Sequence, residues 1–234
     1  MPISWNIPLV TLSVLIAIIG SFTALDHAQR MREAGGREAR LWMVAGSITL
    51  GMSIWGMHFV GMLAFHLPIP LAYDLTLTLL SILPAIAAAF LGFWTLRCAT
   101  RISTRRILAS GLLMGLGVGA MHYTGMAALK MSPPIGYDPP MVALSVAIAV
   151  IASWGALLLI YQGGRIKLPP LLRLMLGAVI MGLAISGMHY TAMFGTHFQP
   201  GSLCLADGLR IAAICRPFAA SGTIGTKRMP WMPG

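Results

Sequence analysis

The chain has 234 residues, of which 57% are hydrophobic and only 9% charged. A soluble globular domain carries roughly 25% charged residues, so this composition excludes a largely water-facing surface. A soluble enzyme and a nucleic-acid-binding domain are excluded with it. The formal charge of +10, from 16 Lys and Arg against 6 Asp and Glu, does not point to nucleic acid, because the basic residues fall in short clusters between long uncharged runs. That is the pattern of a polytopic membrane protein with basic cytoplasmic loops, whose first partner is the lipid bilayer.

Six runs free of Asp, Glu, Lys and Arg are long enough to cross a bilayer core of about 30 Å. The first, Ile7–Leu25, is followed by Arg30, Arg32, Arg37 and Arg40. No Lys or Arg precedes it, the reverse of a secretory signal, so it is expected to be retained as a span. The second is Leu41–Phe65. The third, Leu75–Leu96, contains Pro84, expected to kink it, and ends at Arg97, Arg101, Arg105 and Arg106. The fourth and fifth are Ile107–Leu129 and Met141–Tyr161, and Arg165, Lys167 and Arg173 lead into the sixth, Leu174–Phe194. Of the Lys and Arg residues, the loops after the second and fourth runs hold only Lys130. The positive-inside rule therefore places the odd spans' ends in the cytoplasm and the N-terminus outside. Trp42, Trp94 and Tyr161 suit an inner-interface aromatic belt, and His27 is expected to be solvated on that side.

After Phe198 the character changes. Pro200, Pro217, Pro230 and Pro233 appear, and Asp207, Arg210 and Arg216 interrupt Leu203–Ala220. A seventh span there would bury charges costing about 2.5–3.5 kcal/mol each at its centre. The expectation is an all-α bundle of six membrane helices over residues 1–198, with a seventh disfavoured, and an atypical tail over 199–234 without a folded output domain. Of the three cysteines, Cys98 lies on the cytoplasmic side, while Cys204 and Cys215 in the tail could pair only if that tail is outside.

One pattern occurs three times: Met57-His58-Phe59-Val60-Gly61-Met62, Met121-His122-Tyr123-Thr124-Gly125-Met126 and Met188-His189-Tyr190-Thr191-Ala192-Met193. The histidines are 64 and 67 residues apart, so the duplicated unit is about two membrane helices. Gly51, Gly115 and Gly182 each precede a histidine by seven residues, and Gly111, Gly115 and Gly119 have the spacing that lets membrane helices approach closely. Asp74 and Asp138, each after a tyrosine, follow the first two histidines by sixteen residues; the third copy has no matching Tyr-Asp. Anchoring of a helix end suits these pairs at least as well as metal or proton chemistry.

Each histidine is predicted roughly 8–10 Å from the outer end of its helix, at 1.5 Å per residue. Three histidines therefore share one depth, and the second Met of each copy lies on the same helix face, four residues on. The first Met flanks that face. Polar groups inside a membrane are costly and usually functional, although methionine and histidine also serve as packing. Imidazole and thioether together favour copper, particularly Cu(I); zinc is less well served without Cys, Asp or Glu. Met57, His58, Met62, Met121, His122, Met126, Met188, His189 and Met193 are the candidate metal ligands, more than one ion needs. Haem between two histidines is the alternative cofactor, giving a membrane electron carrier, and copper transport is a third reading. His66 and His197 could extend the site. No nucleophile–base arrangement, phosphate loop or dinucleotide fingerprint is present, so enzymatic activity is not expected.

The Met-His-Tyr-Thr repeat, spelled out at Met121–Thr124 and Met188–Thr191, resembles the MHYT-domain family of bacterial integral membrane sensors over roughly residues 5–198. The first copy departs at Phe59 and Val60 and the third at Ala192, while His and both Met are kept throughout. The resemblance implies a bacterial inner-membrane protein with its N-terminus in the periplasm, and a sensory domain near the outer face that binds copper through these Met and His residues. It also implies oxygen, carbon monoxide or nitric oxide as the signal. Family members often continue through a seventh helix into a cytoplasmic output domain. Without one, signalling here would require a separate output protein.

Overall fold

In the computed structural model, residues 4–67, 71–97, 103–162, 168–199 and 203–204 are described. Asn6 opens the first helix, α1 (Ile7–Glu33), by accepting the Leu9 N–H on its side chain at 3.2 Å. The helix runs past the predicted Leu25, carried by an Asp26–Arg30 pair one turn apart and by buried Ala28 and Met31. It turns at Gly35 into α2 (Gly36–Ala64). The third span comprises α3 (Leu75–Leu80) and α4 (Ile82–Arg97). The kink expected at Pro84 is thus an interruption at Ser81, because proline lacks the N–H that the Leu80 carbonyl would have accepted. The break is covered from the neighbouring span, where the Trp55 indole donates to Thr78 O at 2.9 Å and to Ser81 Oγ at 3.2 Å. Then follow α5 (Thr104–Ala127), capped by Ser103, α6 (Pro139–Gln162) and α7 (Pro170–Phe194).

Among the described residues, six helical segments, with α3 and α4 together as one, are long and apolar enough to cross a membrane. They close into a ring in the order α1, α2, α4, α5, α6, α7 and back to α1, and α2 also touches α5 and α7 across the interior. Chain reversal puts the arginine-bearing helix ends at one end of the ring and the histidine-bearing ends at the other. At the arginine end His27 is half-buried against Trp42, with ring centroids 5.2 Å apart, rather than solvated.

The glycines seven residues before each histidine explain how the ring closes. A Cβ on Gly51 would lie 2.8 Å from Ile86 Cα, on Gly115 2.5 Å from Val150 Cα, and on Gly182 2.7 Å from Ile18 Cα. Each repeat therefore touches the next backbone to backbone, the third returning to the first. Gly111 extends the α5–α6 seam, its missing Cβ leaving room for the Trp154 indole.

Short ladders tie the histidine end. β1 (Ser4–Trp5) pairs with β2 (Phe65–His66), β3 (Met131–Ser132) with β6 (Leu203–Cys204), and β4 (Gly136–Tyr137) with β5 (Thr196–His197). Leu203 and Cys204, where a seventh span would begin, are thus a strand on the bundle's end. Cys204 Sγ donates to the carbonyls of Leu129 at 3.0 Å and Ala72 at 3.2 Å. Cys98, Cys215 and the rest of the tail lie outside the described residues.

Candidate metal centre

His58, His122 and His189 are fully buried and meet inside the ring. Their Nδ1 atoms form a triangle with sides of 3.1 Å (His58–His189), 3.2 Å (His58–His122) and 3.3 Å (His122–His189). The ring centroids are farther apart, at 4.9–5.2 Å, so each imidazole turns its Nδ1 corner toward a common axis. Adjacent rings stand edge to face, 75–86° apart.

The rings seat on small residues. A Cβ on Gly125 would lie 2.4 Å from His58 Nε2, and one on Gly61 2.6 Å from His189 Nε2. Each of these glycines follows the neighbouring repeat's histidine by three positions; Ala192 holds the same place in the third copy. Beside the histidine layer, Phe59 packs on Tyr73, Tyr123 on Tyr137, and Tyr190 on Trp5.

Three neutral imidazoles cannot satisfy such a triangle by hydrogen bonding alone. Two Nδ1–H groups would oppose each other, and a single one leaves two lone pairs face to face. Among the described residues all three Nε2 atoms are buried without a partner, so there the layer's six ring nitrogens have only one another. A cation on the axis would accept three lone pairs and leave the protons on Nε2. At an imidazole–metal bond of about 2.0 Å, tetrahedral ligation separates two nitrogens by about 3.3 Å, close to the observed sides. The three histidines thus fit one metal ion of imidazole-ligated type.

The six candidate methionines are fully buried but divide between two layers. Met57, Met121 and Met188 belong to the main core within the spans, and Met62, Met126 and Met193 to an end cluster with Phe65, Tyr73 and Met131. The histidine layer lies between them. His66 and His197 sit in the end ladders, outside the triangle; among the described His, Cys, Asp and Glu, the three motif histidines are the group close enough to share an ion.

Asp74 and Asp138 are anchors. Their backbone N–H groups donate to Ala128 O and Gly195 O, each at 2.8 Å, and Asn6 donates to Ala64 O at 2.9 Å. All three acceptors stand six residues beyond a motif histidine. The pair absent after the third motif is therefore supplied, as Trp5-Asn6, before the first: the Tyr-Asp opens a repeat rather than closing one. Asp74 also pairs with Lys130. That ammonium, followed by the Leu77 N–H, holds its carboxyl below the usual carboxylate range, while burial raises the Tyr73 phenol.

A serine seven residues into each repeat was not singled out by sequence. Ser13 bonds Tyr190 Oη at 2.6 Å and Ser145 bonds Tyr123 Oη at 3.0 Å. Ser81, opposite Phe59, receives the Trp55 indole instead. The hydroxyl missing at Phe59 is thus replaced by another donor on the same helix.

Fold and site together define a threefold-repeated, six-span membrane bundle built around a buried histidine layer. Residues 1–40, 51–110 and 115–172 match the MHYT family, described as a bacterial signalling protein N-terminal repeat. The chain belongs to this family and is a membrane sensor domain of signalling type. It is 49% identical over 212 residues to the bifunctional diguanylate cyclase/cyclic di-GMP phosphodiesterase MucR of Pseudomonas aeruginosa, covering 88% of this chain and 30% of that protein. It is 40% identical over 186 residues to the cyclic di-GMP phosphodiesterase NbdA of the same organism, covering 79% and 24%. With the signalling protein YkoW of Bacillus subtilis it shares 32% over 210 residues, covering 86% and 26%. The chain spans less than a third of the length of these relatives. No solved structure matches it.

Proposed function

We propose that this chain is the sensory input of a bacterial signalling system and that His58, His122 and His189 hold one copper ion through Nδ1, near the outer face of the inner membrane. The observation that carries this reading is the 3.1–3.3 Å triangle of inward-turned nitrogens on three separate helices. Thioethers on either side, from Met57, Met121, Met188, Met62, Met126 and Met193, favour a soft cation over zinc. The basic loops at the opposite end favour the orientation with the histidines outward.

When bound, copper supplies a redox change and an open position for oxygen, carbon monoxide or nitric oxide. The protein's part is mechanical. Each imidazole rides on a different span, so a change in the triangle's dimensions repositions α2, α5 and α7, provided the two states differ in interaction energy. Output passes to a signalling domain, a reading the relatives' names support, or to a separate partner protein.

Haem fits less well. Two axial imidazoles would place nitrogens about 4 Å apart across a porphyrin, and here a third ring occupies that space. Transport would need ligands spread along a path, whereas the histidines form one layer.

The test is anaerobic titration of the reconstituted chain with Cu(I), then carbon monoxide, read by the infrared C–O stretch. One copper per chain and a carbonyl band, both lost on replacing the histidines, are expected. Copper binding that survives all three replacements would overturn the reading.

A further inference from the structure

At the end opposite the histidines, α1, α6 and α7 leave a cavity of about 350 Å³ between them. Its chemistry is divided. Leu25, Leu159 and Leu174 form an apolar floor, while Arg32 and Arg173 stand at the rim with Glu33. The Glu33 carboxylate receives the Gln29 amide at 3.1 Å. The Arg32 guanidinium is steered across the opening by donating one N–H to Ile160 O at 2.5 Å, and a guanidinium has five N–H donors. Pro169 and Pro170 begin α7, which has no side-chain cap and no acidic residue in its first turn. The positive end of that 25-residue helix therefore adds to the two arginines.

We propose that this cavity binds an anionic phospholipid, its phosphate between Arg32 and Arg173 and an acyl chain along Leu25, Leu159 and Leu174. Among the described residues that line it, two arginines stand beside one carboxylate. The apolar floor continues the lipid-facing surface, where Leu171 and Leu172 are exposed beside the opening. Basic pockets between membrane helices take acidic headgroups for this combination of reasons. The site is independent of the histidine layer and of any metal there.

The full chain in nanodiscs of phosphatidylcholine with 20% phosphatidylglycerol tests it, read by native mass spectrometry of lipid retained after release. The ratio of phosphatidylglycerol to phosphatidylcholine in the retained lipid should be about tenfold above the bulk ratio. The Arg32→Gln/Arg173→Gln double variant should lose that enrichment, and an Arg37→Gln/Arg40→Gln variant with the same charge change should keep it. Arg32→Lys/Arg173→Lys, which keeps the charge, should retain part of it if the Gln variant fails to fold. Retention at bulk composition in the wild type would overturn the proposal. So would equal losses in the two Gln variants, or displacement by millimolar inorganic phosphate, which would mark a site for phosphate rather than lipid.

Discussion

The Nδ1 atoms of His58 and His189 lie 3.1 Å apart although 131 residues separate them in the chain. They are brought together by cyclic closure, in which Gly182 of the last span packs on the backbone of Ile18 in the first. The histidine triangle and the ring's seams are therefore parts of one construction.

If the seams depend on the missing side chains, Gly115→Ala should be far more damaging than an ordinary helical Gly→Ala change. Its Cβ would fall 2.5 Å from Val150 Cα, backbone that cannot move aside. A loss of about 1–3 kcal/mol is expected. Gly155→Ala, with nothing within 4 Å of the new methyl, should be neutral or stabilising by up to about 1 kcal/mol. Unfolding in detergent measures both.

Gly61→Ala tests a different contact, because the atom met is a side chain. The methyl would lie 2.6 Å from His189 Nε2, and the imidazole can swing away. Helix content and assembly should survive while metal affinity falls about tenfold or more. Ala192→Gly, which only removes atoms at the equivalent place, should keep metal affinity within about threefold. Competition with a Cu(I) chelator gives the ratio.

Tyr190→Phe removes the hydroxyl bonded to Ser13 at 2.6 Å between the last and first spans. Interhelical hydrogen bonds in membranes average about 0.6 kcal/mol, so a loss of about 0.5–1.5 kcal/mol in unfolding is expected, with the Ser13 hydroxyl keeping only its bond to the Val10 carbonyl. Metal stoichiometry should be unchanged, since Phe59 already fills the same position in the first copy.

Asp74 should make the histidine end acid-sensitive. Its carboxyl titrates below the usual range because it is paired with Lys130 and capped by Leu77 N–H. The resulting stabilisation is present above the ordinary carboxylate pKa and fades as pH falls through the lowered one. Asp74→Asn keeps a cap acceptor and loses the charge, so it should remove this acid dependence with a small drop in melting temperature. Asp74→Ala, losing both, should melt lower still. Melting curves between about pH 3 and pH 7 separate the two variants.

The spans and the histidine layer were legible because both are local. Hydropathy marks a helix within its own twenty residues, and a motif repeated at one offset from each helix end fixes a common depth. What was not legible depends on closure. Trp5-Asn6 plays the part of Tyr73-Asp74 and Tyr137-Asp138, but its letters differ and it precedes the first motif, so a search after each histidine misses it. Ser13, Ser81 and Ser145 gain meaning only once their partners from the preceding repeat are known. The break at Ser81 followed from Pro84, but that Trp55 covers it is a tertiary fact. The tail's strand at Leu203–Cys204 depends on Met131–Ser132, far from it in sequence.

The central claim, that three imidazoles share one ion, is tested most directly by X-ray absorption at the copper edge on the loaded, membrane-reconstituted chain. Three nitrogen scatterers at about 2.0 Å, with the multiple-scattering signature of imidazole, are expected, with or without an added sulfur. A shell of sulfur alone at about 2.3 Å, with no imidazole signature, would contradict it.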